Sequence, residues 1–226
     1  MEYALETVRA GSTVLGLRCS EGVVLANEVV YHTKLQNPNF LWKLFQIDDH
    51  IGTASSGLNS DARILVDNAR IYAQVVRLSY DEAVGVEMIA KRVGDIMQMY
   101  TQHAGVRPFG AALLIGGADK TGGRVYLADP SGMYWEYNAW AIGKGAEKAK
   151  EYLEKNYRED MKLEEAIEVS VSALVHSVEK MTEGWTVNVA TIPLDTKRFS
   201  MLSAEDTQRY LDKALEERGK KASGGK

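Results

Sequence analysis

Ser12 and Thr13 are the residues whose type and position most directly suggest catalysis, because they follow Gly11 at the start of a β-rich run. A hydroxyl there can become a nucleophile after cleavage behind the glycine, with the new α-amino group acting as its base. Lys43 could then lower the pKa of that amine. The alternative is structural: Gly11 terminates a short helix over residues 2–9, and Ser12 begins an ordinary strand. The residues alone leave both interpretations open.

Three other groups of polar residues have weaker claims to a site. Gly143-Lys144-Gly145 precedes a helical pattern, but it lacks the third glycine and the Lys-Ser/Thr pair of stronger phosphate loops. The acidic pair Asp48-Asp49 lies in a predicted turn, where such side chains bond to the backbone. The histidines lack metal-ligand spacing; they are His32, His50, His103 and His176. We therefore predict no metal and no cofactor.

A second informative stretch is YTQHAGVRPFG, residues 100–110, between a long amphipathic pattern and an apolar strand. Gly105 relaxes the backbone, Pro108 fixes φ and removes a donor, and Arg107 supplies a planar fork of donors. Such a segment suits a contact surface, although an ordinary helix-to-strand connection would occupy the same place.

Hydrophobic periodicity predicts that these residues are positioned by strands, helices, strands and helices in turn. The predicted strands are residues 12–17, 22–26, 44–47, 51–55, 111–115, 124–128, 134–139 and 186–192. The first long predicted helix begins near residue 59, with Asn59 or Ser60 as its cap. The other predicted helices cover residues 81–100, 147–156, 163–181 and 203–218. We expect the strands after residue 110 to form a second sheet. This order favours an α+β fold with two antiparallel sheets packed face to face and helices outside.

Composition limits the class of protein. With 226 residues, 45% of them hydrophobic, the chain suits one domain over residues 1–226. A net charge of −4, from 27 basic and 31 acidic residues, argues against nucleic-acid and membrane partners. Cys19 is the sole cysteine, which excludes an intramolecular disulfide, and we predict a cytoplasmic protein. Residues 217–226 are expected to form a disordered tail.

Several short stretches resemble subunits of the proteasome core particle. They are Glu2-Tyr3-Ala4, Gly11-Ser12-Thr13, Gly22-Val23-Val24-Leu25-Ala26, Ser56-Gly57-Leu58, Asp61-Ala62-Arg63 and Asp129-Pro130-Ser131-Gly132. The resemblance implies the four-layer αββα sandwich of N-terminal-nucleophile hydrolases, which agrees with the order of elements. The run YTQHAGVRPFG is similar in particular to α subunits of the archaeal type rather than to the proteolytic β subunits.

Proteolytic β subunits open this strand with a threonine nucleophile, followed by an acidic residue, arginines and a later lysine. Here Ser12 stands behind a retained helix, and Asn27-Glu28-Val29-Val30 has valines where basic residues would stand. The resemblance therefore implies a non-catalytic α subunit, which forms outer heptameric rings on β subunits and controls the passage of unfolded polypeptide. Two alternatives stay open: a peptidase using Ser12 after cleavage behind Gly11, and a ring-forming scaffold without a β partner.

The resemblance also implies roles for particular residues. Lys43, with Gly11, Gly57 and Leu58, matches a pocket between neighbouring subunits that receives the C-terminal carboxylate of an activating AAA+ ATPase. The loop that narrows the substrate channel in this family matches His103, Ala104, Gly105 and Val106. Tyr3 is expected at a ring contact, and Arg107 either at a ring contact or as an anchor of the loop.

The N-terminus departs from the family pattern. Family α subunits carry a gating segment with a Tyr-Asp-Arg motif ahead of the first helix, whereas this sequence begins at Met1, so that residues 1–10 form a partial N-terminal helix. Tyr3 matches a tyrosine that supports the open gate. We expect either a truncated sequence or a permanently open pore, in which case assembled particles would degrade unfolded peptides without an activator.

Overall fold

The computed structural model describes residues 1–31, 33, 35–37 and 43–223, and side chains as far as Lys220. The helices are α1 (Glu2–Ala10), α2 (Asn59–Tyr80), α3 (Val86–Gln102), α4 (Ala146–Asn156), α5 (Leu163–Ser177) and α6 (Ala204–Ser223). The strands are β1 (Val14–Arg18), β2 (Gly22–Val30), β3 (Leu44–Asp48), β4 (Ile51–Gly57), β5 (Ala111–Asp119), β6 (Gly122–Ala128), β7 (Tyr134–Glu136), β8 (Ala139–Ile142), β9 (Trp185–Pro193) and β10 (Ser200–Met201). Across these ranges, no helix has the length and apolar character needed to cross a membrane.

The strands form two antiparallel sheets of five strands each. The first sheet has the order β10-β9-β2-β1-β8, and the second has the order β3-β4-β5-β6-β7. One cluster of apolar side chains lies between the sheets. A second cluster joins the first sheet to α4, α5 and α6, and a third joins the second sheet to α2 and α3. The predicted αββα sandwich is confirmed.

Central strands are apolar on both faces because each contributes to two of these clusters. In β2, Val23 and Leu25 pack between the sheets, whereas Val24 and Ala26 pack against the helices. In β5, Leu114 faces the other sheet and Leu113 faces α2 and α3. The continuous apolar runs that marked these strands in the sequence are therefore a consequence of the four-layer arrangement.

The grouping of strands into sheets differs from the prediction. The hairpin β3-β4 pairs with β5 in the second sheet, whereas we expected that sheet to consist of the strands after residue 110. The single strand predicted over residues 134–139 is divided, because the chain crosses at Tyr137 from β7 in one sheet to β8 in the other. Apolar patterns identify strands but leave their partners open, since pairing is decided by contacts distant in sequence.

Several helix ends also differ. Helix α2 ends at Tyr80, and its C-cap Asp81 closes it with a left-handed φ of 53°. Helix α3 begins at Val86, where the N–H donates to Asp119 Oδ2 at 3.0 Å. The predicted side-chain caps at Asn59 and Ser60 are wrong, because Leu58 occupies the cap position. Helix α5 ends at Ser177 rather than at residue 181, and α6 continues through Ser223, past the predicted start of a disordered tail. Residues 224–226 of that tail lie outside the described residues.

Candidate functional site

Three glycines from separate parts of the chain meet where α1 ends. Gly11 closes α1 through a bond from its N–H to the Val8 carbonyl, 3.1 Å. A methyl group on Gly11 would overlap the Gly57 nitrogen, and one on Gly57 would overlap the Gly110 carbonyl oxygen. Gly57 also has a φ of +99°, a conformation that favours glycine. The close approach of the three backbones therefore depends on the absence of side chains.

Lys43 lies beside this junction. Its Nζ donates a hydrogen bond to the Gly57 carbonyl at 3.0 Å, and its own carbonyl accepts from the Ser55 N–H at 2.8 Å, ahead of β3. The lysine is half-buried, and burial lowers the pKa of its amine to about 8. Burial removes water that would solvate the ammonium form and so disfavours it. A bound anion next to the Lys43 amine would stabilise the ammonium form instead.

The four residues predicted for the pocket thus lie together. Leu58 follows Gly57, is 42% exposed, and donates its N–H to the Gly110 carbonyl at 2.9 Å. The sequence interpretation missed Ser56, whose buried Oγ lies 3.0 Å from the Val8 carbonyl and 2.9 Å from the Ser12 carbonyl. This hydroxyl fixes the end of α1 to β4, and its position in the motif Ser56-Gly57-Leu58 was the available signal.

The predicted channel loop leaves α3 and is exposed. His103, Ala104, Gly105 and Val106 all lie at the surface, and Gly105 has a φ of +85° with open space beside it. The ring of His103 lies 2.7 Å from the Met99 carbonyl through Nδ1. Where the loop returns to the body, Phe109 is 5% exposed and packs against Tyr100, with ring centroids 4.6 Å apart.

Arg107 anchors this loop within the same chain. Its guanidinium donates to both oxygens of Asp61, Nη1 to Oδ2 at 2.6 Å and Nη2 to Oδ1 at 2.9 Å. Asp61 is 5% exposed and also accepts from the Gly110 N–H at 2.8 Å. The hydrogen bonds from Arg107, with that from Gly110, hold the pKa of Asp61 below its usual value. Asp61 was quoted in the family motif, but its function was missed because its partner is distant in sequence.

Arg107 and Tyr3, the two predicted ring contacts, differ in the contacts they make within the chain. Arg107 has 64% of its side chain exposed although its donors are engaged with Asp61, so the anchoring alternative has direct geometric support. Tyr3 projects from α1 and is 91% exposed, without a role in the core. A ring contact through Tyr3 stays a prediction.

The other candidate centre, around Ser12, is organised by a buried acid. Glu28 is 1% exposed, and its Oε1 accepts from the Thr13 N–H at 2.8 Å and from the Thr13 hydroxyl at 3.2 Å. Lys144 Nζ lies 3.0 Å from the same oxygen, and Trp185 Nε1 donates to Oε2 at 3.3 Å. The Lys43 amine faces Gly57 instead. The Thr13 hydroxyl and the Thr13 N–H are thus both bonded to the Glu28 carboxylate.

The weaker candidates are also engaged within the chain. Lys144 donates its N–H to the Gly11 carbonyl at 2.9 Å, and Gly145 donates to the Thr13 hydroxyl at 3.0 Å, so two donors of the glycine loop are used. Asp48 binds Arg77 through both oxygens at 2.8 and 3.0 Å, which makes it a structural ion pair. Within the described ranges, no group of three acidic, histidine or cysteine residues could hold a metal ion, and His32 lies outside them.

The sequence of this chain is similar to those of known proteins over most of its length. A model of the proteasome subunit family matches residues 8–192, which is most of the chain. The chain belongs to the proteasome subunit family. It is 45% identical to the proteasome subunit alpha of Methanosarcina mazei over 96% of this chain and 87% of that protein. The identity is 45% to that of Methanocaldococcus jannaschii, over 94% and 81%, and 44% to that of Pyrococcus horikoshii, over 96% and 83%.

Membership of the proteasome subunit family agrees with the fold and with the resemblance inferred from the short motifs, which is thereby confirmed. The family match covers β1 to β8 and β9 as far as Ile192, so it includes strands of both sheets. The relatives extend the similarity to 213–217 residues, and all three are α rather than β subunits by name.

Proposed function

We propose that the chain is a non-catalytic α-ring subunit of a proteasome core particle. The observation that carries the proposal is the 44–45% identity to archaeal α subunits over almost the whole chain. In this role, copies of the chain form the outer heptameric ring, bind β subunits, and admit unfolded polypeptide to a chamber in which the β subunits cleave it. The buried, unpaired thiol of Cys19 is compatible with the cytoplasm as the location.

The bonding around Thr13 supports a role without catalysis by this chain. An N-terminal nucleophile needs a free α-amino group beside its hydroxyl. Here the Thr13 N–H and the Thr13 hydroxyl are both bonded to the buried Glu28, which fixes the residue after Ser12 to the first sheet. The Ser56 hydroxyl contacts the carbonyls of Val8 and Ser12, on either side of Gly11, and so holds the segment that would have to be cleaved.

The junction at Lys43 supports the docking of a carboxylate. An ammonium group has three donors, and within the described part of the chain Lys43 Nζ directs one of them to the Gly57 carbonyl, so a ligand could accept from the others. Each charge-assisted hydrogen bond contributes about 1.5–3 kcal/mol, which suits a weak pocket. Several such pockets in one ring raise the effective affinity for an activating AAA+ ATPase with several C-terminal tails.

The loop from His103 to Val106 supports a role as a channel lining. Ala104 and Gly105 are small and exposed, so they can limit the width of a channel without gripping an extended chain. The exposed Tyr3 of α1 provides a projecting ring-contact side chain of the kind that head-to-tail rings require, since such interfaces join two different patches.

Co-purification with an archaeal proteasome β subunit tests the proposal. We expect peptide hydrolysis to appear only in the complex and to disappear when the nucleophilic threonine of the β subunit is replaced. Replacing Ser12 of this chain by alanine is the matched control and should leave the hydrolysis unchanged. Hydrolysis that survives loss of the β nucleophile but is abolished by Ser12→Ala would contradict a non-catalytic role.

A further inference from the structure

A continuous set of contacts joins the Lys43 pocket to the channel loop. Lys43 holds the Gly57 carbonyl at 3.0 Å, and the neighbouring Leu58 N–H donates to the Gly110 carbonyl at 2.9 Å. On its other side, the Gly110 N–H donates to Asp61 Oδ2 at 2.8 Å, and Asp61 binds Arg107 of the loop. Both peptide groups of Gly110 are therefore committed, one towards the pocket and one towards the loop anchor.

The junction has little room to absorb a displacement. Gly57 lies so close to Gly110 that even a methyl group would not fit between them, and Gly110 and Asp61 are buried. Close-packed interiors have low compressibility and transmit a shift of one group to the next. A movement of the Gly57–Leu58 backbone would therefore press on Gly110, which is bonded to the carboxylate that holds Arg107.

The loop itself can respond to such a movement. Residues 103–107 are exposed, and Gly105 has no atom within 4 Å of the place where its side chain would be. Arg107 reaches back to Asp61 with two hydrogen bonds, so the position of this anchor sets the position of the residues next to it. Two parallel bonds fix the orientation of the guanidinium as well as its distance.

We propose that Asp61 is a positioning residue that couples the Lys43 pocket to the channel loop, so that a carboxylate bound at Lys43 shifts residues 103–107. The inference rests on the proposed function for the binding of a carboxylate at Lys43 and adds to it a mechanical consequence. Coupling between sites is reciprocal. The factor by which a bound carboxylate shifts the equilibrium of the Arg107 anchor is therefore also the factor by which release of the anchor changes the affinity of the pocket.

Hydrogen exchange of assembled rings of the full chain, measured by mass spectrometry, tests the coupling. The probe is a short peptide with a free C-terminal carboxylate, and the same peptide with a C-terminal amide is the control ligand. We expect the carboxylate peptide to change exchange at residues 103–110 by about fivefold or more, as allosteric coupling typically does, and the amide to leave it unchanged. Calorimetry on the same samples measures binding separately.

Two variants isolate the proposed relay. Arg107→Gln removes the anchor from a largely exposed position and should leave the chain folded, while Asp61→Asn keeps the shape of the carboxylate without its charge. In both, we expect the response at residues 103–110 to be lost while the peptide still binds. Arg124→Gln, which breaks an exposed ion pair with Glu136 on β6 and β7, is the matched control and should keep the response.

The outcomes separate the two proposals. If the carboxylate peptide does not bind, the proposed pocket and the coupling are both wrong. If it binds to the unaltered chain without changing exchange at residues 103–110, the coupling alone is wrong. A response of normal size in Arg107→Gln, with normal binding, would contradict the role of the Asp61–Arg107 pair.

Discussion

Glu28 binds both the backbone N–H and the hydroxyl of Thr13, through the same carboxylate oxygen, at 2.8 and 3.2 Å. The acid is 1% exposed and lies on β2, where its N–H also donates to the Thr13 carbonyl at 2.9 Å, immediately ahead of β1. Lys144 and Trp185 complete its set of partners. Thr13 suggests catalysis in the sequence, together with Ser12. In the structure it is bonded to Glu28 and is therefore part of the connection between α1, the first sheet and the segment ahead of α4.

Glu28→Gln tests this structural role. The amide keeps the shape of the side chain but replaces charge-assisted bonds to Thr13 and Lys144 with weaker ones, so we expect the free energy of unfolding to fall by about 1–3 kcal/mol. Urea denaturation measures the change. Glu179→Gln is the control, because this glutamate is exposed and pairs with Lys148 at the surface, so it should change stability far less than Glu28→Gln does. Equal effects of the two substitutions would contradict the buried network.

Gly57→Ala tests the close approach behind the pocket. The substitution combines a positive φ of +99° with overlap of the Gly110 carbonyl, so we expect a loss of about 2 kcal/mol or more in the free energy of unfolding. Gly105→Ala is the matched control, since its φ is +85° but the space around it is open, and about 1 kcal/mol of strain is expected. Losses of the same size would mean that the backbone contact is looser than described.

The pKa of Lys43 predicts how carboxylate binding depends on pH. The amine titrates at about 8, so the pocket is cationic below that pH and becomes neutral above it. Affinity for a peptide carboxylate should be constant at lower pH and fall by up to about tenfold for each pH unit above 8. Calorimetry over this range measures the fall, and Lys43→Met should abolish binding at every pH. Affinity that did not change between pH 7 and 10 would contradict a binding role for the Lys43 amine.

Stability should respond to the same titration with the opposite sign. The folded state lowers the pKa of Lys43 from 10.5 to about 8, so the unfolded chain binds more protons between these values. The contribution of Lys43 to the free energy of unfolding therefore rises as the pH rises through this window. We expect the free energy of unfolding, measured by denaturation between pH 8 and 10.5, to rise with pH more steeply in the unaltered chain than in Lys43→Met. Identical pH profiles of the two chains would contradict the lowered pKa.

Helices and central strands could be predicted from the sequence because their pattern is local. The continuous apolar run Val23-Val24-Leu25-Ala26 identifies a strand, and the structure explains the run by apolar clusters on both of its faces. Strand pairing could not be predicted in the same way. Residues 134–139 look like one strand, yet Tyr134 pairs with Ala128 and Ala139 pairs with Leu17, in different sheets.

The grouping of the residues of the proposed pocket was predictable from a family motif, whereas the connections behind it were not. Gly57 and Leu58 stand in a recognisable turn, and Lys43 precedes a strand. Asp61 and Arg107 are separated by 46 residues, and nothing local to either marks the other as its partner. Ser56 was hidden for the same reason, since its contacts to Val8 and Ser12 cross from one part of the chain to another.

Intact mass distinguishes the α-subunit proposal from the peptidase alternative. We expect the chain to keep its full mass of 25.0 kDa during prolonged incubation, since the segment around Gly11 is held by Ser56 and Lys144. Ser12→Ala should have the same mass stability as the unaltered chain. Loss of residues 1–11 from the unaltered chain, prevented by Ser12→Ala, would contradict the proposal and support an N-terminal nucleophile at Ser12.

Native mass spectrometry of the chain, alone and mixed with an archaeal proteasome β subunit, tests the central claim most directly. The proposal predicts complexes in which heptameric rings of this chain cap rings of β subunits, with every copy of the chain at its intact mass. A chain that forms no complex with the β subunit, or rings that form but never bind it, would contradict its assignment as an α-ring subunit.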